Sequence, residues 1–212
     1  MTEDFVHADF TLGKLDIKDL DRDPFQQFKK WYNEVQETGI SENYAMTLAT
    51  CGASGRPAAR IVYLRGFDAR GFTFYTNYNS RKGEELAQNP YAALCFYWKE
   101  LERQVRLEGR VEKVPTEESD AYFQGRPINN KIGAWASTQS GTLESAAALF
   151  ARVAEYRNKF ENQEIPRPEH WGGYRLMPNL FEFWQGRPSR LHDRFEYLQD
   201  GEGGWTLSRL NP

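Results

Sequence analysis

The 212-residue chain suits one domain of ordinary size, and its 40% hydrophobic and 15% aromatic residues suffice for a sizeable core. Its 27 Lys and Arg against 30 Asp and Glu leave a formal charge of -3, which argues against a nucleic-acid binder or a polybasic membrane binder. Two distant cysteines, Cys51 and Cys95, fit a reducing compartment and no zinc site. No apolar run approaches the roughly 20 residues of a membrane span, and the start MTEDFVHADF lacks signal-peptide character, so the chain reads as cytoplasmic.

Residues 1–22 are polar and weakly periodic and are expected to form an N-terminal arm, with 23–212 as a single domain. DRDPFQQFKKWYNEVQETG then predicts a helix, with Asp23 as N-cap and Pro24 in the first helical position. Phe25, Phe28, Tyr32 and Val35 form its apolar stripe, and Gly39 marks its exit. From residue 44 to about 112 the segments YAMTLATC, RPAARIVYLRGF, GFTFYTNY, YAALCFYW and RQVRLEGRVEKV predict strands. In the last, Val105, Leu107 and Val111 alternate with Gln104, Arg106, Glu108 and Arg110, so one face should be buried. SRKGEELAQNP interrupts this run as a short helix capped by Ser80.

Thr116 is expected to cap a helix over EESDAYFQG. Thr142 is expected to cap a longer one with a stripe of Leu143, Ala146, Ala147, Phe150, Val153 and Ala154. GGYRLMPNLFEFWQG, RLHDRFEYL and GGWTLSRL return to strands, with Asp200-Gly201 as a hairpin signal. Short successive strands with few helices predict a mainly β fold, an antiparallel barrel or sheet flanked by helices.

Four clusters carry possible chemistry. In RIVYLR, a flat strand would send Arg60 and Arg65 to opposite faces, and on this segment alone they read as two solvated charges flanking a core strand. In FYTNYNSRKGEEL, Ser80, Arg81 and Lys82 stand where a helix begins. Cations in a first turn oppose the helix dipole, which an anion such as phosphate would explain, the alternative being a solvated helix start that Ser80 merely caps. YFQGRPINNKIGAW sets Tyr122, Arg126, Asn130 and Lys131 around a proline turn, either a second anion grip or a polar junction. RPSRLHDR packs three arginines and one of the chain's three histidines into eight positions. On a strand, Arg190, His192 and Arg194 would share a face, toward an anionic ligand or toward water. No G-x-G-x-x-G, P-loop, H-E-x-x-H or G-x-S-x-G is present.

Taken in order, RIVYLR, FYTNYNSRKGEEL, ERQVRLEGRVE, YFQGRP…IGAW, TQS, FWQGRPSRLHDR and the ending RLNP resemble the pyridoxine 5′-phosphate oxidase (pyridoxamine-phosphate oxidase) family over roughly residues 20–212. The resemblance implies an FMN-binding split β-barrel, a homodimer with the flavin between subunits, and oxidation of pyridoxine or pyridoxamine 5′-phosphate to pyridoxal 5′-phosphate. Hydride would pass to flavin N5, and O₂ would be reduced to H₂O₂. It carries FMN contacts onto Arg60, Tyr75, Thr76, Arg81, Lys82 and Gln104, and onto Gln139, Ser140, Trp184 and Arg194. The rest of the RIVYLR strand (Ile61, Val62, Tyr63, Leu64, Arg65) and Ser80 complete the implied cofactor set. Arg65, Tyr122, Arg126 and Asn130 fall on the grip for the substrate phosphate. Arg190 and His192 fall on catalytic positions over the substrate ring; no metal is implied.

The chain departs from the family pattern in four places. Arg65 replaces a usual Lys and Asn130 a usual Ser, while His7 and Phe10 stand where the arm usually offers Arg and Tyr. These departures keep open a flavin oxidoreductase with another substrate. A non-catalytic carrier of FMN or pyridoxal phosphate is the other alternative, against which the retained Arg190 and His192 count.

Overall fold

A computed structural model describes residues 9–212, so His7 lies outside the described residues. In chain order these form α1 (Pro24–Glu37), β1 (Ala45–Cys51), β2 (Pro57–Tyr63), β3 (Gly66–Asp68), β4 (Gly71–Asn77), α2 (Arg81–Gln88), β5 (Tyr91–Trp98) and β6 (Arg103–Lys113). Three helices follow, α3 (Thr116–Gln124), α4 (Ile128–Ala136) and α5 (Ala146–Lys159), then β7 (Trp171–Gln185), β8 (Asp193–Gln199) and β9 (Trp205–Leu210). The strand order is β2-β1-β5-β6-β7-β4-β3, with β8 on β7 and β9 on β8. The pairs β3–β4, β4–β7, β7–β8 and β8–β9 run antiparallel. The fold is mainly β with flanking helices, as the patterning predicts.

Two compact units emerge. The first takes the described residues up to Leu48 with Ala93–Gly109 and Pro178–Pro212; the second takes Ala49–Ala92 and Arg110–Met177. Within the second, Phe72–Asn77 of β4 pair with Trp171–Leu176 of β7. Within the first, Leu180–Gln185 of β7 pair with β8. Pro178 falls between these two registers, where its missing N–H leaves neither ladder short of a donor.

In the first unit, α1 starts as predicted: the Asp23 side chain accepts the Phe25 N–H, and Pro24 opens the helix. It buries Phe28, Trp31 and Val35. In the second unit, Ser80 caps α2 by accepting the Gly83 N–H.

Elsewhere the structure corrects the sequence reading. RPAARIVYLRGF breaks into β2 and β3, because the chain leaves β2 after Tyr63 and Leu64 turns into the interior. The stretch read as a polar junction after Arg126 is the helix α4. Pro127 precedes its first turn and its carbonyl accepts the N–H groups of Asn130 and Lys131, an entry that proline's fixed φ favours. Thr116 is the first residue of α3, after Pro115, and makes no cap bond. Ser145, not Thr142, caps α5 through the Ala148 N–H. Leu143 therefore lies outside that helix, and Phe150 is 70% exposed, so this apolar stripe is no core face. Val153 and Tyr156 do pack against the cluster of Phe123, Ile132, Ile165 and Trp171. The strand predicted from Arg190 begins only at Asp193: Ser189 and Arg190 have φ of 56° and 62°, left-handed values that no strand accommodates.

Candidate active site

The second unit holds a cavity of about 670 Å³, within the range of small-molecule sites. Its wall includes Arg60, Ile61, Val62, Tyr63, Arg65, Tyr75, Thr76 and Lys82 from the strand and α2 region. Tyr122, Arg126, Asn130, Gln139 and Trp171 complete it from the other elements. A smaller hollow shares Arg60, Lys82 and Gln139 with it and adds Arg81 and Ser140. Arg60 and Arg65 thus line one cavity, contrary to the opposite faces expected of a continuous strand, because Arg65 sits in the break between β2 and β3.

Two groups of cations meet this cavity, and they are held differently. In the first, buried Lys82 donates from Nζ to Thr76 Oγ1 at 3.2 Å, Ser80 Oγ at 3.2 Å and Gln139 Oε1 at 3.0 Å. All three partners are neutral. Burial, and next the nearby Arg60 charge, push its pKa down, against the opposing pull of Glu85. Arg60 beside it is tied back: Nη2 meets Glu85 Oε2 at 3.2 Å and Nη1 donates to Thr50 Oγ1. Arg81 Nε donates to the other oxygen of Glu85 at 2.8 Å, one helical turn away. Burial alone would raise the Glu85 carboxyl, but hydrogen bonds from Thr50, Arg81 and Arg60 hold it below the ordinary carboxylate value.

The second group is built on rings. Tyr75 of β4 pairs with Gly173 of β7, which sets it diagonal to Trp171 on the same sheet face. A Cβ at Gly173 would lie 2.6 Å from Val114 and 2.8 Å from the Tyr75 ring, so only glycine lets that ring settle there. Tyr75 stacks on Tyr122 of α3 at 3.8 Å and 6°, and on Trp171 at 5.6 Å and 13°. Burial pushes the Tyr75 hydroxyl up to about 12, so it stays protonated and can donate. Arg126 follows Tyr122 by four residues and precedes Asn130 by four, bringing all three to one wall. Its guanidinium carbon lies 4.3 Å from the Trp171 ring centroid. Among the described residues its side chain makes no hydrogen bond or ion pair, and its Nη1 is buried without a partner. Burial lowers its pKa, as does nearby Arg65, against Tyr122.

The first unit carries the remaining site residues, Gln104, Trp184, Arg190, His192 and Arg194. His192 Nδ1 accepts the Arg187 backbone N–H at 3.1 Å, so the neutral ring carries its proton on Nε2 and offers a donor there. Burial lowers its pKa; Arg190 and Arg194 lower it further, against Asp193. The ring lies 4.6 Å from that of Trp184, and Phe10 meets both edge-on at 5.4 and 5.6 Å. Gly186 makes room for Phe10, since a Cβ there would lie 2.7 Å from its ring. Arg194 donates from Nε to buried Glu182 at 2.8 Å, and Arg106 meets the other oxygen at 3.1 Å. Exposed Arg190 stands outside the strand, so the common face expected for Arg190, His192 and Arg194 does not form.

Of the remaining sequence-predicted residues, Leu64 is buried and Ser80 serves as helix cap and lysine partner. Sequence reasoning missed Thr50, Glu85 and Trp171. A carboxylate one turn after Arg81 was a readable signal; nothing local marks Thr50 or Trp171. Cys51 and Cys95 are free thiols on β1 and β5, and burial raises the pKa of the second. No described helix is long and apolar enough to cross a membrane.

The donor set fits a phosphorylated flavin. A buried ammonium with only neutral partners, beside the capped start of α2, carries charge that an anion would complement.

Residues 33–160 match the family described as pyridoxamine 5′-phosphate oxidase, and residues 171–212 match the pyridoxine 5′-phosphate oxidase C-terminal dimerisation region. A pyridoxine/pyridoxamine 5′-phosphate oxidase of Paraburkholderia phymatum is 58% identical over 207 residues, 98% of this chain and 97% of that protein. One from Trichormus variabilis is 54% identical with the same coverage. Among solved structures, PhzG of Burkholderia lata 383, in complex with tetrahydrophenazine-1-carboxylic acid, superposes with a TM-score of 0.87. It is 32% identical, covering 94% of this chain and all of that one. A pyridoxamine 5′-phosphate oxidase-related, FMN binding protein of Nostoc punctiforme shares the fold with a TM-score of 0.71 at 18% identity, covering 91% of this chain and all of that one.

Proposed function

This chain belongs to the pyridoxamine 5′-phosphate oxidase family and is an oxidoreductase, and from that premise we propose that it oxidises pyridoxine 5′-phosphate and pyridoxamine 5′-phosphate to pyridoxal 5′-phosphate. The observation that carries this reading is Arg126, a guanidinium facing the cavity beside Tyr122 and Asn130 with a buried N–H lacking any partner among the described residues. A substrate phosphate in the cavity would answer the charge of this guanidinium. We assign FMN as the cofactor, a cytoplasmic homodimer as the working form with the flavin between subunits, and residues 23–212 as one functional domain. The C-terminal dimerisation match supports the dimer.

Bound FMN would supply the redox chemistry, a hydride acceptor at N5 whose electrons would pass on to O₂ to give H₂O₂. Lys82 and Arg60 would hold the flavin phosphate, with Ser80 keeping Lys82 in place and Arg81 and Ser140 at the adjoining hollow. Tyr75, Thr76, Gln139 and the β2 residues Ile61, Val62 and Tyr63 would flank the flavin, Leu64 backing them. Gln104, Trp184 and Arg194 are the remaining residues we assign to the flavin. Arg65, Arg126, Tyr122 and Asn130 would clamp the substrate phosphate, so that orientation lowers the barrier. Arg190 would orient and polarise the reacting hydroxyl or amine. His192 would act as a hydrogen-bond donor from Nε2, because Nδ1 is engaged by Arg187.

The PhzG likeness makes an oxidase of a carboxylated ring the competing reading. Two guanidiniums, Arg65 and Arg126, on one wall favour a dianion over a single carboxylate. The test is to incubate the FMN-loaded protein in air with each phosphorylated vitamer and follow pyridoxal 5′-phosphate and H₂O₂. Equimolar formation of both is expected; no product from either vitamer would overturn the function.

A further inference from the structure

Trp171 opens β7 and is 7% exposed, packed edge-on against Phe123 at 5.2 Å. Its ring plane lies within 13° of Tyr75 and 10° of Tyr122, and Arg126 rests 4.3 Å from its centroid. We propose that Trp171 is a positioning residue for Arg126, holding the guanidinium by its face so that the N–H edges stay free for the substrate's phosphate. The proposal rests on the phosphate reading above.

The physical case is a choice between two ways of holding an arginine. A carboxylate takes the N–H edges and cancels the charge, as Glu85 does at Arg60. An aromatic face attracts the cation through its quadrupole, leaves the edges unpaired and leaves the net charge intact. Arg126 is held in the second way. Its nearest ring contacts are Trp171 at 4.3 Å and Phe123 at 5.6 Å, and no described carboxylate bonds it. The cost is a buried N–H without a partner, Nη1, left over because no carboxylate was placed beside it. Tyr122 lies against Tyr75 in the same stack, so the wall that steers Arg126 also fixes the neighbouring phenol. The ring-held cation and its hydroxyl neighbour are thereby pre-set before substrate enters.

The test is a double-mutant cycle on the FMN-loaded enzyme, comparing Trp171→Leu, Arg126→Ala and the pair, with Trp171→Phe as the variant that keeps an aromatic face. For Trp171→Leu, KM for pyridoxine 5′-phosphate is expected to rise about tenfold with kcat within about twofold. In the Arg126→Ala background the same change should move KM by less than about twofold, since nothing remains for the ring to hold. Trp171→Phe should recover part of the loss, because phenyl faces attract cations more weakly than indole. An equal rise in KM in both backgrounds would overturn the proposal. So would a fall in kcat and flavin affinity with KM unchanged, which would make Trp171 only part of the aromatic packing. If the wild-type holoenzyme turns over neither vitamer, the functional reading falls. Calorimetric titration of inorganic phosphate into the same four proteins then decides the pairing by the same comparison.

Discussion

Arg60 and Arg126 line the same cavity and are prepared for anions in opposite ways. Arg60 is fastened by Glu85 and Thr50, so much of its charge is already answered, and buried Lys82 supplies the unanswered charge beside it. Arg126 is fastened by rings and keeps both its charge and its edges. The first arrangement suits a resident phosphate, since its parts are rigid and mutually bonded. The second suits a phosphate that comes and goes, since little is broken or remade when the anion leaves. Stability and recognition are thus separated along one wall: the carboxylate side stabilises the fold, while the ring side stores binding capacity.

Breaking the ring side should have the largest effect. Arg126→Ala is expected to raise KM for either phosphorylated vitamer about 100-fold, the loss of roughly two charge-assisted hydrogen bonds. Flavin affinity, read by fluorescence titration, should change less than about threefold. A comparable loss of flavin affinity would mean the two cation groups are not separate. Moving the ring stack is next. Gly173→Ala places a methyl 2.6 Å from Val114 and 2.8 Å from Tyr75, and should destabilise the fold by about 2 kcal/mol in denaturant unfolding.

The carboxylate side sharpens the comparison through pH. Glu85→Gln should cost about 1–2 kcal/mol, most of it from the Thr50 and Arg60 bonds, because Arg81 is largely exposed and its pair is screened. The Glu85 carboxyl is held below its ordinary value of 4.5, so its contribution is full above that value and is lost as pH falls through the lower, folded value. Thermal midpoints measured from pH 7 to 3 should show that acid-sensitive part in the wild type and not in Glu85→Gln. The smallest effect is at His192, where burial and then Arg190 and Arg194 lower the pKa from 6.5. A lowered imidazole resists protonation, so its stabilising neutral form is complete above 6.5 and its contribution fades as pH drops below that. NMR titration should place its midpoint below 6.5, and Arg190→Ala should move it upward. A midpoint above 6.5 would contradict the neutral donor role.

Local signals made much of this legible. Asp23-Pro24 and Ser80 mark helix starts that tertiary packing leaves intact, and alternation in β6 marks a sheet. Lys82 was legible because cations in a first helical turn ask for an anion, whereas Arg60 and Arg126 read locally as solvated or junction charges and were marked as site residues only by the family resemblance. What failed depended on information outside the window. The helix α4 hides behind Gly-Arg-Pro, a sequence that reads as a turn until the Pro127 carbonyl is seen accepting from the next turn. Arg190 was placed on a strand because periodicity cannot register two left-handed residues before Asp193. Trp171 was invisible as a site residue, since a tryptophan near glycines looks like core. Its task is defined by Arg126, 45 positions earlier.

The most direct measurement is anaerobic: titrate the FMN-loaded wild type and Arg126→Ala with pyridoxine 5′-phosphate, and separately with pyridoxine, following the flavin's visible absorption. The expected result is full bleaching of both proteins by the phosphorylated vitamer, at about 100-fold higher concentration for Arg126→Ala, with pyridoxine far weaker than its phosphate on the wild type. Equal bleaching of the wild type by pyridoxine and its phosphate, or none by the phosphate, would contradict a cavity built for two phosphates.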